Sequence, residues 1–356
     1  MDPQLAMNGP RISADRLTEF TAVALTAVGV PASDAQVVAN SLVRADLWGH
    51  QSHGVMRLGW YVERIRAGVM RAVTRPELVV DGGAVAAMDG RDGVGQVLAT
   101  QAAREAIRRS KVHGISAVAV RNSNHFGMAA YFTRMAPPEG CVALLTTNAS
   151  PAMAPWGGCK KTVGNNPWSV AAPAGRYQPM VLDIANTVVA RGKIYLARQK
   201  GLSIPVGWAI NTAGEPTTDP VEALAGIILP MGKHKGYGIS VMLDVLSGVL
   251  TGSAFGTGVH GPYQTEHPGG CGHLMICLNI EAFLPLSEFN ARMEKLISEI
   301  KSVPLVKGVK EVFYPGEIEI RNEERHLQEG LQLPEETLAG LAKLARETGQ
   351  VSLLPF

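Results

Sequence analysis

Charge is scarce in this chain of 356 residues: Asp, Glu, Lys and Arg together make up 18%, against about 25% in an ordinary globular domain. Hydrophobic residues reach 46%, enough to bury a large core, which excludes a disordered or solvating chain. So little charge also predicts that part of the surface is covered by a partner subunit. No dense basic run occurs, and 33 Lys and Arg against 31 Asp and Glu leave a net charge of +2. Nucleic acid and an anionic membrane are therefore poor partners. Cysteines are few. Cys141, Cys159, Cys271 and Cys277 form no CxxC pair and no small disulfide framework, and they read as reduced thiols of a cytoplasmic protein. Long apolar runs are missing too: the most apolar stretch, 239–250, carries Asp244 and Gly248 and is too short to span a bilayer. The opening MDPQLAMNGPR has neither a basic nor an apolar leader region, so no secretory signal is expected.

What is present is helical periodicity at both ends and strand-like runs between them. After Ser13, a capping residue type, Leu17, Phe20, Ala24 and Val28 recur at helical spacing until Gly29. Ser33 with Gln36 makes a capping-box pattern for a second helix toward Leu47. A third helix fits 55–67, closed by Gly68, and the linker His50-Gln51-Ser52-His53-Gly54 before it is polar and histidine-rich. From Leu78 onward short β-rich runs (78–80, 85–88, 115–120, 142–146, 181–184 and 274–280) alternate with helical or Gly/Pro-rich segments, the pattern of an α/β domain. Residues 150–176 read as an ordered loop system, and late helices fit 287–300 and 335–348. The length allows about two domains. The expected division is an N-terminal helical region at 1–77 and a C-terminal one at 281–356, packed together beside a central α/β domain at 78–280.

Two glycine-rich patterns fail as nucleotide motifs. Gly93-Val94-Gly95 lacks the third glycine of the dinucleotide fingerprint, Ala99 falls one position too late, and no acidic residue follows a second strand at the right separation. Gly157-Gly158-Cys159-Lys160-Lys161-Thr162 lacks the Gly-Lys pair of a phosphate loop. Neither carries a nucleotide-binding reading.

Four constellations remain. In the first, a helix starting near Ser52 would put His53, Arg57 and Tyr61 on one face, with Ser52 as cap. An imidazole beside a guanidinium can bind a carboxylate and move a proton at the neighbouring oxygen. A surface helix with an ordinary Arg and a capping Ser accounts for the spacing equally well. In the second, Asn122-Ser123-Asn124-His125-Phe126-Gly127 follows an apolar strand and precedes a helix-like run at 128–135. Strand ends against helix starts are where α/β proteins bind ligands, although Asn and Ser also serve as plain caps. The third is Asp183, at the end of a strand leading into 185–197, able to orient a histidine, to hold a ribose or simply to cap a helix. The fourth is Gly232-Lys233-His234-Lys235-Gly236-Tyr237-Gly238, two lysines in a flexible glycine frame suited to a phosphate or to a solvated turn. The run 216–220, Pro-Thr-Thr-Asp-Pro, reads as a turn followed by a capped helix start.

Taken in order, these motifs resemble the type-2 malate/L-lactate dehydrogenase family, which includes ureidoglycolate and sulfolactate dehydrogenases, diketogulonate reductase and piperideine-2-carboxylate reductase. The resemblance rests on SHGVMRLGWYVERIRAG (52–68), SNHFGMAAYF (123–132), TTNASPAMAPWGG with GNNPWSVAAP (146–173), VLDIANTVVARGKI (181–194), IPVGWAINTAGEPTTDP (204–220), HKGYG with DVLSGVLTG (234–252) and YPGE (314–317). It covers nearly the whole chain. It implies an α/β fold of three layers with a mixed sheet, a non-Rossmann NAD(P)-binding domain flanked by a helical domain built from both termini, and a homodimer.

The resemblance also implies roles. His53 would be the acid/base, with Ser52 and Asp183 as relay partners and Arg57 and Tyr61 on the substrate; His125 is a rival for the proton. The cofactor, NAD or NADP, would contact His125, Phe126, Gly127, Met128 and Ala129, then Asn148. It would also contact Val181, Leu182, Asp183, Ile184, Ala185, Asn186 and Thr187, and finally Lys235 and the turn of Gly316 and Glu317. No metal is implied. The family often has Gly where this chain has Lys233, a charge that bears on a phosphate, on a doubly charged substrate or on solvent. The expected activity is hydride transfer between a nicotinamide and a small 2-hydroxy acid or its 2-oxo acid. A reductase of cyclic imino acids is the alternative. Outside the class stand a non-enzymatic binding protein and a metal-dependent hydrolase using His50, His53 and His125, for which no Cys or carboxylate ligand follows at motif spacing.

Overall fold

The computed structural model describes residues 9–199 and 201–356. The chain opens with α1 (Ala14–Thr26), α2 (Ala32–Leu47) and α3 (Leu58–Arg66). It continues through β1 (Glu77–Gly82), β2 (Val85–Asp89), α4 (Gly95–His113), β3 (Ile115–Ser123), the single turn α5 (Ala130–Thr133) and β4 (Cys141–Thr147). Then come β5 (Pro151–Met153), β6 (Val163–Gly164), β7 (Trp168–Ala172) and β8 (Met180–Ile184). An excursion follows, with α6 (Arg191–Gln199), β9 (Ala209–Ile210), β10 (Pro216–Thr217), α7 (Pro220–Ala225) and β11 (Ile227–Ile228). The last elements are α8 (His234–Asp244), β12 (Cys271–Asn279), α9 (Leu286–Lys301), α10 (Glu317–Glu329) and α11 (Glu335–Thr348).

Seven strands form one mixed sheet in the order β1-β2-β3-β12-β4-β7-β8. β2 and β3 run parallel, joined by α4 as the crossover, and the other neighbours are antiparallel. The late strand β12 thus lies between β3 and β4. Leu98, Ala102 and Ala106 of α4 pack on Val118, Leu145 and Met275 of the sheet in one buried cluster. A second cluster joins the two ends of the chain: Leu17, Phe20 and Ala24 of α1, Val38 and Leu42 of α2, and Leu341, Leu344 and Ala345 of α11. The backbones of Ile12 and Leu331 exchange two hydrogen bonds of 2.8 Å. No helix is long and apolar enough to cross a membrane among the described residues.

Several local expectations shift. Ser13 precedes α1, but its hydroxyl makes no capping bond. α2 starts at Ala32 behind Pro31, so the Ser33–Gln36 box does not form, and Gln36 bonds Asn40 instead. The helix expected over 128–135 is the single turn α5, and that expected over 185–197 begins only at Arg191. Asp219 does cap α7, accepting the Val221 N–H at 2.7 Å.

Candidate active site

The third expected helix is the largest departure, and it builds the site. Between α2 and α3 the chain makes two tight turns, Gln51–His53 and Val55–Arg57, around an extended Gly54. A Cβ at position 54 would stand 2.0 Å from Oδ1 of Asp46, so only glycine lets the turn close on that carboxyl group. Asp46 accepts the Val55 N–H at 2.8 Å, and burial pushes its pKa up to about 8. Of the expected helical face, only Tyr61 lies on α3. Ser52, His53 and Arg57 come off the double turn, and Ser52 Oγ lies 2.9 Å from His53 Nδ1 rather than capping a helix.

The second half of the site follows β3. Asn124 donates to the carbonyls of Asp92 (3.0 Å) and Gly93 (2.9 Å) and accepts from Arg64 (3.0 Å). A Cβ on Gly95 would come within 2.4 Å of the Asn124 carbonyl oxygen. The glycine pair that fails as a fingerprint thus lets the start of α4 approach this turn. His125 Nδ1 accepts the Gly127 N–H at 3.2 Å and lies 2.7 Å from the Tyr61 hydroxyl. The rings of His53 and His125 stack, 5.9 Å apart and 18° from parallel. Desolvation, then Arg57 and His50, hold His53 down at about 3; desolvation, then His53 and Arg57, hold His125 well below its ordinary value. Both rings are neutral at pH 7.

Arg57 donates through Nε to the Ser52 carbonyl at 2.6 Å, and its guanidinium lies over Trp60. Among the described residues no carboxylate pairs with it. A half-buried cation without a counter-ion, next to neutral imidazoles, is a receptor for an anion. Asp183 accepts the Ala130 N–H at 2.7 Å, which ties β8 to α5, and desolvation pushes its carboxyl up to about 6. Among the described residues no hydrogen bond joins it to Ser52 or His53, so a closed Ser-His-Asp relay is not formed.

The residues expected at the cofactor fall into two groups. In one, the strand end is brought to α8: Thr187 bridges Pro230, Met231 N–H donates to the Asn186 carbonyl at 2.9 Å, and a Cβ on Gly236 would crowd both backbones. Lys235 lies in the first turn of α8, not in a flexible loop. Lys233 precedes that helix with φ +60° and makes no side-chain cap, and both lysines are exposed. Val181, Leu182, Ile184 and Ala185 line the approach to this helix start. The Gly316 turn is joined to them, because the Pro315 carbonyl accepts the Val181 N–H at 2.9 Å.

In the other group the side chains are engaged internally. Asn148 uses its amide on Gly272, Asp244 and Ala254, and Asn186 on Asn165, Asn166 and Trp168. Glu317 is held by Lys301 at 2.7 Å and Arg321 at 2.6 Å. Phe126 packs against Phe132 and His273, and Met128 and Ala129 are buried in the two main cores. Only the main chain of these residues is open to a ligand.

His50 lies 3.5 Å from Glu319, and among the described residues no three His, Cys, Asp or Glu side chains are grouped to hold a metal ion. Sequence reasoning missed Asp46, Arg64 and His273. Arg64 is 2% exposed and bonds only neutral acceptors, Asn124 and the carbonyls of Gly261, Gln264 and His267. His273 is buried between Thr147 and Ser123 at 2.8 and 2.7 Å. A histidine inside the apolar run 271–279 was the available signal; Arg64 had none, since it reads as an ordinary charge on a helix.

The sequence pattern of the family described as malate/L-lactate dehydrogenase matches residues 12–342. The malate dehydrogenase of Pyrococcus abyssi is 39% identical over 350 residues, covering 96% of either chain. The (2R)-3-sulfolactate dehydrogenase (NADP(+)) of Chromohalobacter salexigens is 38% identical over 269 residues, 75% of this chain and 80% of that one. Among solved structures, the sulfolactate dehydrogenase of Methanocaldococcus jannaschii superposes with a TM-score of 0.90 at 36% identity, covering 96% of this chain and 98% of that one.

Proposed function

The chain belongs to the malate/L-lactate dehydrogenase family, and on that premise we propose that its site interconverts a small 2-hydroxy acid and the matching 2-oxo acid, with His53 moving the proton and Arg57 holding the carboxylate. The protein is an NAD(P)-dependent oxidoreductase of hydroxy acids. Its cofactor is NAD or NADP.

The observation that carries the assignment of roles is the pair of donors on His125. Gly127 N–H and the Tyr61 hydroxyl both approach Nδ1, so that nitrogen accepts and the proton sits on Nε2. His125 then donates a hydrogen bond to the substrate oxygen and cannot serve as its base. His53 has one neighbour on Nδ1, the Ser52 hydroxyl. With Nδ1–H donated to Ser52, Nε2 is free to take the hydroxyl proton as the hydride leaves C2. In the reductive direction His53 must first be protonated. A substrate carboxylate on Arg57 offsets the positive charge that depresses the ring, and so favours the proton-loaded form when substrate is bound.

The residues present fit a dinucleotide. Two exposed lysines and the uncapped start of the eleven-residue helix α8 suit a diphosphate, and they adjoin the strand end at 181–187. When bound there, the nicotinamide supplies or accepts the hydride at the substrate carbon. Lys235 holds phosphate; Arg57 and Tyr61 face the acid.

Two coarser readings go with this one. The exposed apolar side chains Ile239, Met242, Val245 and Val249 on and after α8 support a homodimer in which a second copy covers them. Four free cysteines support a cytoplasmic protein. The core shared by α1, α2 and α11 supports a helical region made from 1–77 and 281–356 beside a cofactor domain at 78–280.

The test is oxidation of NADH and NADPH against a panel of 2-oxo acids and cyclic imines, with and without a chelator. Turnover of a 2-oxo acid that resists chelation is the expected result. Turnover of cyclic imines alone would transfer the same acid and anchor to imino-acid reduction, and loss with chelator would overturn the metal-free reading.

A further inference from the structure

Beside the two histidines lie buried polar side chains that the mechanism does not use. Gln96, in the first turn of α4, is 0% exposed, and among the described residues neither end of its amide has a hydrogen-bonding partner. The same holds for the hydroxyls of Ser41 on α2 and Thr100, one turn beyond Gln96. A buried helical hydroxyl ordinarily bonds the carbonyl four residues back, as Thr21 does to Leu17 at 2.7 Å. Ser41 and Thr100 do not. Buried polar groups without partners are rare in native proteins and costly, so a cluster of them signals a missing hydrogen-bonded element.

Two of the three meet at one point. A Cβ placed on Gly127 would stand 3.6 Å from the His53 carbonyl oxygen, 3.8 Å from Ser41 Oγ and 4.0 Å from Gln96 Nε2. The place therefore has room for an atom the size of a methyl group or a water, ringed by polar atoms. Interior waters typically make about three hydrogen bonds to groups otherwise unsatisfied. Gln96 is also close enough to the Tyr61 hydroxyl to favour its ionised form, and that hydroxyl reaches His125 Nδ1.

We propose that Gln96 is a positioning residue for the reaction: with Ser41 it holds one internal water beside Gly127, and through the Tyr61 hydroxyl it fixes which nitrogen of His125 carries the proton. The amide and its water donate toward the Tyr61 oxygen. The Tyr61 hydrogen is then left to point at Nδ1 of His125, where the Gly127 N–H already points. Nε2–H is thereby presented to the substrate oxygen. No proton is transferred along this line; it holds one tautomer. The inference rests on the reading that His125 donates to the substrate, and it extends the site by one shell on the side away from solvent.

The experiment compares wild type with Gln96→Leu, Ser41→Ala, Tyr61→Phe and the double variant Gln96→Leu/Tyr61→Phe. Ring-nitrogen NMR of 15N-histidine protein reads the tautomer. In wild type His125 is expected in the Nε2–H form, and in Gln96→Leu a mixture with Nδ1–H. Gln96→Leu is expected to lower kcat roughly tenfold, the cost of losing an outer partner of a functional histidine. Substrate KM should stay within about twofold, since binding groups are untouched. Adding Gln96→Leu to Tyr61→Phe should then cost nothing further, because the path is already cut. Ser41→Ala should shift the tautomer in the same direction and leave Tm no higher.

An unchanged His125 spectrum in Gln96→Leu overturns the proposal. So does an additive loss in the double variant. A higher Tm for Ser41→Ala would mean a dry space and would overturn the water. Should Gln96→Leu not fold, Ser41→Ala decides by the same two readouts. Should no 2-oxo acid be turned over, the function fails on its own, while the spectra still test the tautomer.

Discussion

The guanidinium of Arg57 lies 4.0 Å from the ring centre of Trp60. Its Nε is already used on the Ser52 carbonyl. One face and one edge of the fork are thus fixed, and the remaining N–H groups keep a set direction. Stacking of this kind suits a planar guanidinium and not an ammonium.

Arg57→Lys is therefore expected to cost about 1.5–3 kcal/mol in kcat/KM, the worth of a hydrogen bond to a charged group. Trp60→Leu, which leaves the fork but frees its orientation, should raise KM by a smaller factor with kcat little changed. Steady-state kinetics on the preferred acid decide both, and an unchanged kcat/KM in Arg57→Lys would remove Arg57 from the site.

The two histidines separate by variant. His53→Ala is expected to lower kcat by roughly 10²–10⁴, the usual worth of a positioned proton carrier, with cofactor affinity retained. His125→Ala should lose a donor rather than the base, and so fall less. A dead His125→Ala beside a near-normal His53→Ala would exchange the roles.

Lys235→Ala should raise the dissociation constant for NADH or NADPH in a fluorescence titration while the fold stays intact, because an exposed ammonium at a helix start acts as a point charge for phosphate. Lys233→Ala should affect the cofactor less and can alter which acid is accepted. If neither variant changes binding, the start of α8 holds no phosphate.

Stability should depend on pH in two windows. Burial raises Asp46 to about 8, above its unfolded value, so the stability from its neutral form is lost as pH rises through about 8. Asp46→Asn stays neutral there, and its Tm should fall less than wild type between about pH 7 and 9. On the acid side His53 and His273 are both held down at about 3. The unfolded chain takes up protons first as pH falls below the ordinary 6.5, so stability falls across that window. A Tm for Asp46→Asn that tracks wild type through alkaline pH would show that this carboxyl is ionised in the fold.

Light scattering at micromolar concentration should report a particle of twice the chain mass. A monomer would leave the apolar side chains on α8 uncovered and would count against the dimer.

Local pattern determined much of this protein. Apolar spacing at Leu17, Phe20 and Ala24 is enough to make a helix with one buried face. The runs at 115–120, 142–146 and 274–280 became β3, β4 and β12 because β-rich segments bounded by turn residues have few other options. Long motifs carried the family, and with it the pairing of His53 with His125.

What local pattern did not decide lies where distant segments meet. The sequence allowed a continuous helix from Ser52 to Tyr61; the fold broke it at Gly54, because the Asp46 carboxyl occupies the place a helix would need. Nothing near Asn148 or Glu317 in sequence shows that Gly272 and Lys301 would take up their polar atoms. Nor does the neighbourhood of Gln96 reveal that it stands behind Tyr61. Periodicity reports which face of an element is buried. Which polar groups meet on that face is set by how the elements pack, and the tautomer of His125 is set there, by Tyr61 from one segment and Gly127 from another.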